Sequence, residues 1–328
     1  MASPVTTTEP RSISHGSSTK EREPAFVVNR NAGGFRRDPR LEQRLRGAVS
    51  ARGRVYATTT EHELEHAVRE AVAHGATPIV FCGGDGTYLA GVTALARAAG
   101  EGPLPAVGLV RAGTVSIVAK NWNAQRDVVR AVRAIAENPE QLRVTSRPTL
   151  SIESDGVTRV GFTFGTGLVA NFFEMYDQAS PSGLGAAFRI TLRTFFDSFV
   201  GGPYAEKILG ALPCRITVDG HRLAPGAWSL VLCSVLRDVG LHMLVTYRAG
   251  EDHGRPHLVA SPLPPRLLGP QWPLVALGRP LIGAGNFDGL VRSFQVDFPE
   301  RGPFVLDGDT FHAKTVRVSA GPNIVVVT

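Results

Sequence analysis

The sequence predicts two domains of different class: an amino-terminal α/β domain on a parallel sheet, and a carboxy-terminal antiparallel β-sandwich. Three observations carry this. Between Pro24 and about Arg143 short apolar runs alternate with helical segments, the pattern of a parallel sheet covered on both faces. From about Ser146 alternating strands separated by turn signals dominate. The chain has 328 residues, 43% of them hydrophobic, which suits two cores at roughly 100–200 residues per domain. The expected boundaries are a tail over 1–23, an α/β domain over 24–145 and a sandwich over 146–328. The last strand, NIVVVT, is eligible to return to the first domain.

The first two dozen residues are Ser, Thr, Pro, Glu and Arg without an apolar run, which predicts a disordered tail and no signal peptide. AFVVN (25–29) reads as the first strand, followed by a glycine loop and a helix from near Asp38. GRVYAT (53–58) is the second, with a helix over Glu61–His74 behind it. PIVFC (78–82) is the third, followed by a helix over Thr87–Ala99, and PAVGLV (105–110) is the fourth. In the second half RPTLSIES, VTRVGFTF, CRITVDG, WSLVLCSV, LHMLVTYRA, HLVAS, SFQVDF, KTVRVSA and NIVVVT read as strands. Turn signals at 154–156 and 219–220 separate several of them, and one amphipathic helix interrupts the set over roughly 184–199.

The net charge is +6, from 35 basic and 29 acidic residues, and only Lys20, Lys120, Lys207 and Lys314 among the basic residues are lysine. No run of five like charges and no basic helix interleaved with aromatics occurs, so nucleic acid is not an expected partner. Cys82, Cys214 and Cys233 are widely spaced in apolar segments, without a CxxC. They read as reduced core residues of a cytosolic protein. No stretch of about 18 uncharged apolar residues is present to span a membrane; contact with a membrane surface stays open. Edge strands of a sandwich can pair between copies, so a homodimer is compatible with the sequence.

The chemistry concentrates where strands end. Gly83, Gly84, Asp85, Gly86 and Thr87 lie between the third strand and its helix. Glycine lets a ligand approach the backbone closely, and the helix start offers free N–H groups to phosphate. Asp85 would repel a bare phosphate. It makes sense with a metal between the two, or as an acceptor for sugar hydroxyls or an orienter of donors. A tight turn with a capping aspartate is the bland alternative. Against it stand three more strand-end loops: NRNAGG (29–34), the hydroxyls of ATTTE, and RAGTVS (111–116). All four face one edge of a parallel sheet, the ligand edge of such folds.

These loops resemble the diacylglycerol kinase catalytic domain, of the superfamily that includes sphingosine kinases and, more distantly, NAD kinases and phosphofructokinases. The resemblance rests on GGDGT, on an Asn-x-x-x-Gly loop after the first strand and on a Gly-Thr loop after the fourth. It continues to LDGD (306–309), similar to the family's Asp-Gly-Glu motif, and covers about 25–328. It implies the NAD kinase/diacylglycerol kinase-like fold, with ATP at the strand edge and Mg²⁺ on its phosphates. Gly83 to Thr87 would contact the phosphates, with Asn29, Thr58, Gly113 and Thr114 as further nucleotide contacts and Asp85 managing a metal. Asp307 and Asp309 would occupy the two acidic positions of the terminal motif, one of them taking the proton of the attacking hydroxyl. The implied activity is transfer of the γ-phosphate to a hydroxyl lipid such as diacylglycerol or a sphingoid base, at a membrane surface. NAD kinase shares GGDGT but has an Asn-Glu dipeptide that this chain lacks. A third alternative is a nucleotide- or lipid-binding module without turnover, because Arg30, Ala32, Arg111, Ser116, Ile117 and Asp309 depart from the family pattern. Without the resemblance, VLDGDTF reads as a plain Asp-Gly hairpin.

Other motifs carry less. HELEH (62–66) fits a zinc-protease pattern, but Thr60 and Glu63 fit a helix capping box, and both histidines point away from the apolar face. GTGLVA (165–170) lacks the βαβ setting of a dinucleotide fingerprint, which leaves Gly165 and Gly167 as candidates to line an acceptor site. No GxxxxGK[ST] or GxSxG occurs. The phenylalanines between 172 and 199 are expected to be mostly core, the rest an acyl pocket.

Overall fold

The structure is a computed structural model that describes residues 23–138, 141–178 and 184–328; the tail expected over 1–23 lies, Glu23 apart, outside the described residues. The first half runs β1 (Ala25–Asn29), α1 (Gly33–Arg37), α2 (Leu41–Val49), β2 (Arg54–Thr58), α3 (Glu61–Ala73), β3 (Ile79–Gly83), α4 (Asp85–Ala99), β4 (Val107–Arg111), α5 (Ile117–Asn121) and α6 (Val128–Glu137). The second half runs β5 (Val144–Arg147), β6 (Leu150–Ser154), β7 (Val157–Gly161), β8 (Thr163–Gly167), α7 (Leu168–Asp177), α8 (Leu184–Val200) and α9 (Pro203–Leu209). There follow β9 (Leu212–Pro213), β10 (Arg215–Val218), β11 (His221–Arg222), β12 (Ala227–Trp228), β13 (Leu230–Ser234), β14 (His257–Ser261), α10 (Pro265–Leu268), α11 (Trp272–Ala276), β15 (Phe287–Leu290), β16 (Ser293–Leu306), β17 (Asp309–Ala320) and β18 (Ile324–Val327).

The first sheet has the order β2-β1-β3-β4-β18-β5, parallel except for β5. The chain steps outward from β1 to β2, then crosses back to β3 and β4. The strand order therefore reverses between β1 and β3, and their carboxyl ends, Asn29 and Gly83, flank the switch point where open α/β sheets bind ligands. The strands are apolar on both faces because both are covered. Ala25, Val27, Ile79 and Phe81 join the core under α3 and α4, while Phe26, Val28, Val80 and Cys82 meet α2 and α6. β18 lies between β4 and β5, so the end of the chain completes the first sheet.

The second half is an antiparallel ten-stranded sheet whose main path is β15-β14-β13-β8-β16-β17-β6-β7. It doubles back on itself at β16. Phe164 of β8 meets both Phe294 (5.5 Å between ring centroids) and Phe304 (5.9 Å). Ten residues of straight strand would hold those two rings about 33 Å apart, so β16 folds sharply. It does so at the register break between Asp297 and Gly302, across Pro299-Glu300-Arg301. The two halves of the strand then share one aromatic core.

Three expectations for this half are corrected. VTRVGFTF is two strands, because the chain leaves its pairing with β6 at Gly161 and joins β13 and β16 from Thr163. LHMLVTYRA is not a strand. Leu241 and His242 have φ of 52° and 57°, which breaks any extended run, and the buried Thr246 hydroxyl bonds back to the Leu236 carbonyl at 2.7 Å. The single helix expected in this half has companions, first among them α7 over residues 168–177, launched by Gly167 at φ 67°. The helix expected over 184–199 is α8, and the one placed near Asp38 is the pair α1 and α2.

The halves are fastened through α4. The buried Thr93 hydroxyl donates to the Val160 carbonyl (3.1 Å) and accepts the Val160 N–H (2.9 Å), pinning the helix to β7. Asn121 ties α5 to the other lobe by donating to the Asp238 carbonyl and accepting the Asp238 N–H.

Candidate functional site

Close glycine contacts bring the strand-end loops together. The Cα of Gly113 lies 3.1 Å from the position a Cβ would take on Gly84, and a Cβ on Gly113 would lie 2.4 Å from the Gly84 Cα. The third and fourth loops thus touch backbone to backbone, which only glycine permits. A Cβ on Gly33 would meet the Thr114 hydroxyl at 2.8 Å, and the Gly34 N–H donates to the Ala112 carbonyl at 2.7 Å, which seats the first loop on the fourth. Across the switch point the Asn29 amide donates to the Thr87 hydroxyl at 2.8 Å. Asn29 Oδ1 accepts the Asn31 N–H, and the buried Thr58 hydroxyl donates to the Val28 carbonyl at 3.1 Å.

Asp85 opens α4, two residues earlier than the sequence pattern places the helix start. Its Oδ2 accepts the Ile117 N–H (2.9 Å) and its Oδ1 the Val118 N–H (3.0 Å), so the carboxylate caps α5 from another part of the chain. Burial nevertheless pushes its carboxyl above the usual range, with the two amides and Lys120 pulling the other way.

The hairpin β16–β17 brings the second pair of acids to these loops. Leu306 pairs with Asp309, so Asp307 and Gly308 are the two turn residues, at φ 49° and 102°. Both are left-handed, as the Asp-Gly hairpin requires. The Asp307 carboxylate is held by the amides freed where β7 gives way to β8. Its Oδ1 accepts the Thr163 N–H at 2.8 Å and its Oδ2 the Phe162 N–H at 3.0 Å. The Asp307 N–H in turn donates to the Thr163 carbonyl. A side chain on Gly161 would press on Asp307 Oδ2 at 2.7 Å. Burial, joined by the negative charges of Asp85 and Asp309, raises the Asp307 carboxyl well above its ordinary value, against the two amides. Asp309 faces the other way: its Oδ2 is 3.2 Å from the Cβ position of Gly86.

Two cavities meet at this hairpin. A polar cleft of about 420 Å³ lies over the switch point, lined by Asn29, Thr58, Gly86, Thr87 and Asp309 among others. An apolar cavity of about 350 Å³ lies on the far side of the hairpin. Asp85, Asp307 and Thr163 stand at its polar end, and side chains from α7, α8 and the 236–245 segment wall the rest. The residues picked out in sequence are thus distributed: Asn29, Thr58, Gly86, Thr87 and Asp309 to the cleft, Asp85 and Asp307 to the cavity. Gly83, Gly84, Gly113 and Thr114 form the loop contacts beneath. Gly165 also lines the cavity.

Sequence reasoning missed Arg159 and Phe311 in the cleft, where the guanidinium lies 4.6 Å above the ring. Phe311 stands two residues beyond Asp309 on the same strand face, and strand periodicity alone could have found it. His62 and His66 are exposed, as expected, on α3, whose start is capped by Thr60.

Residues 23–146 match the family of the diacylglycerol kinase catalytic domain. No curated protein sequence matches the chain. Among solved structures, a putative diacylglycerol kinase from Bacillus anthracis str. Sterne superposes with a TM-score of 0.69 at 16% identity, covering 96% of this chain and 98% of that one. A second diacylglycerol kinase structure from that organism gives 0.62 at 14%, covering 94% and 98%. Yeast NADH kinase complexed with NADH gives 0.52 at 12%, covering 94% and 84%. At these identities the likeness is one of fold, and it extends over both halves of the chain. Residues 23–146, with the GGDGT loop at the carboxyl end of their third strand, belong to the diacylglycerol kinase catalytic-domain family.

Proposed function

We propose that the chain is a lipid kinase that transfers the γ-phosphate of ATP to a lipid hydroxyl, with the triphosphate over the glycine loops and the lipid chain in the apolar cavity. One observation carries this reading. Asp307 and Asp309, separated by one glycine, stand between a polar cleft and an apolar cavity and line one each. A hydroxyl at the polar end of the cavity would face Asp307, and a phosphate in the cleft would face the start of α4.

The raised basicity of Asp307 suits a general base. Its carboxylate, oriented by the Phe162 and Thr163 amides, accepts the hydroxyl proton as that oxygen bonds to the γ-phosphorus and the bond to ADP breaks. The apolar lining favours an acyl or sphingoid chain over a dinucleotide such as NAD, whose ribose hydroxyls and phosphates would find few partners there.

Among the described residues no three Asp, Glu, His or Cys side chains form a metal cage. Mg²⁺ usually uses one or two carboxylates together with substrate phosphates, and the carboxylate of Asp309 in the cleft is of that kind. Asp309 lines the cleft and stands over the first turn of α4, where the phosphates would lie, so we assign the ion chiefly to it, with Asp85, whose oxygens accept α5 amides, fixing the loop geometry beneath. When bound, the ion supplies charge neutralisation on the phosphate oxygens.

The test incubates the full chain with labelled ATP, Mg²⁺ and a panel of diacylglycerols and sphingoid bases, with NAD as a parallel acceptor. Label in a lipid that disappears in Asp307→Asn is expected. Label in NADP alone, or in no acceptor, overturns the reading.

A further inference from the structure

Helix α8 is apolar on two sides. Ala187, Thr191, Thr194 and Phe195 line the apolar cavity. Phe188, Leu192, Phe196, Phe199 and Val200 recur at helical spacing and face solvent, Phe196 being 63% exposed. The exposed face continues beyond the helix. Ile282 (70% exposed) and Leu267 are tied together by Gln271, whose amide donates to both of their carbonyls and accepts the Ile282 N–H. Arg266, next to Leu267, donates to the Val200 carbonyl at the end of α8. Single exposed apolar residues are ordinary, but a stripe and its neighbours on one face are not.

The charge around this face is predominantly positive. Residues 184–200 and 262–286 carry Arg189, Arg193, Arg266 and Arg279, and their one acid is Asp197. That carboxylate is engaged by the Ala205 N–H at 2.8 Å. A second copy packed face to face through α8 would set these arginines against one another, with Glu206 of α9 and Asp197 too few to pair them. An anionic bilayer offers both what the phenylalanines need and what the arginines need.

We propose that the outer face of α8, with Leu267 and Ile282, is a docking surface for an anionic phospholipid bilayer. The helix would then lie between the acyl chains and the apolar cavity, with lipid-compatible side chains on both sides. Delivery of a substrate by this route rests on the lipid-kinase reading, whereas the docking itself does not.

The experiment is co-sedimentation of the full chain, without ATP or Mg²⁺, with vesicles of phosphatidylcholine and of an equal mixture of phosphatidylcholine and phosphatidylglycerol. Binding to the mixed vesicles is expected, weaker on neutral ones. It should fall about fivefold in Arg189→Gln, the effect of one charge near such a surface. Phe188→Ser/Phe196→Ser should abolish it with circular dichroism and ATP binding unchanged. Wild-type protein that ignores anionic vesicles, or a double serine variant that binds them like wild type, overturns the proposal. So does a dimer in light scattering that Phe196→Ser dissociates. A chain that binds vesicles but phosphorylates no lipid removes the kinase reading and keeps the surface. One that phosphorylates a dispersed short-chain acceptor but ignores vesicles removes the surface alone.

Discussion

Asp309 holds a carboxylate oxygen 3.2 Å from the position a Cβ would take on Gly86, so the last acid of the hairpin stands over the first turn of α4. A methyl group there must push the carboxylate aside. Gly86→Ala is expected to reduce phosphate transfer roughly ten- to a hundredfold, the scale on which small misplacements act. The same change removes a glycine from a helix, worth up to about 1 kcal/mol of stability, set against the cost of displacing the Asp309 carboxylate. Steady-state rates and urea melts on one preparation separate the two effects. A variant with unchanged rates would place Asp309 outside the chemistry.

Asp307 is the residue whose ionisation should set the pH response. A base acts only when deprotonated, so the rate falls as pH drops through its raised pKa. Asp309→Asn removes one of the like charges that raise it, and the acid limb of the remaining activity should move to lower pH. Asp307→Asn should cost roughly a hundred- to ten-thousandfold in rate while ATP still binds. Stability runs in the opposite sense. Below the unfolded-state pKa both folded and unfolded Asp307 are neutral, and the difference between variant and wild type should not change with pH. As pH rises from the unfolded-state pKa through the raised folded-state value, the unfolded chain ionises while the buried carboxyl stays protonated, and wild type loses stability that Asn keeps. Thermal melts from acid to neutral pH should show Asp307→Asn gaining on wild type as pH rises.

Gly113 and Gly84 meet backbone to backbone, and neither can yield as a flexible side chain would. Gly113→Ala places its methyl 2.4 Å from the Gly84 Cα. A loss of roughly 1–3 kcal/mol is expected from overpacking, together with weaker ATP binding because the third and fourth loops are pried apart. Gly47 is the control. It lies in α2 with nothing within 4 Å of its Cβ position, so Gly47→Ala should stabilise the chain and leave ATP binding alone. Chemical denaturation and calorimetry with ATP read both variants.

The parts of the site visible in the sequence are those made locally. Strand-end loops announce themselves because a buried parallel strand is a short apolar run, and a loop that must approach a ligand or another loop needs glycine: Gly83, Gly84 and Gly113 follow from that alone. The Asp307–Gly308 turn is local too, and the bland hairpin reading and the functional one describe the same two residues. What stayed hidden depends on contacts between distant residues. Nothing near Asp85 shows that its oxygens reach amides 32 and 33 positions away, and nothing near Asp307 shows that its partners lie 145 and 144 positions upstream. VTRVGFTF alternates like one strand, and only its two sets of partners divide it at Phe162. LHMLVTYRA alternates as well, yet left-handed residues at Leu241 and His242 turn it into a wall of the cavity. Hydropathy cannot tell an apolar residue facing a core from one facing a cavity or solvent, so the phenylalanines expected to be mostly core divide otherwise: Phe172, Phe173 and Phe195 line the cavity, and Phe188, Phe196 and Phe199 face solvent.

The cavity itself makes a length-dependent prediction. Ala187 is buried on the inner side of α8 and lines the cavity, so a phenylalanine there takes up space that an acyl chain would fill. Each methylene excluded from an apolar site costs about 0.8 kcal/mol. Displacing two of them should raise the KM for a long-chain acceptor by roughly tenfold. A short-chain acceptor that ends before Ala187 should keep its KM, and the KM for ATP should not change if, as proposed, the nucleotide binds in the polar cleft on the other side of the hairpin. The ratio of long- to short-chain KM is therefore the quantity to measure. If Ala187→Phe weakens both acceptors equally, the chain does not run along α8 and the lipid binds elsewhere. If it weakens ATP instead, the division of labour between the two cavities is wrong.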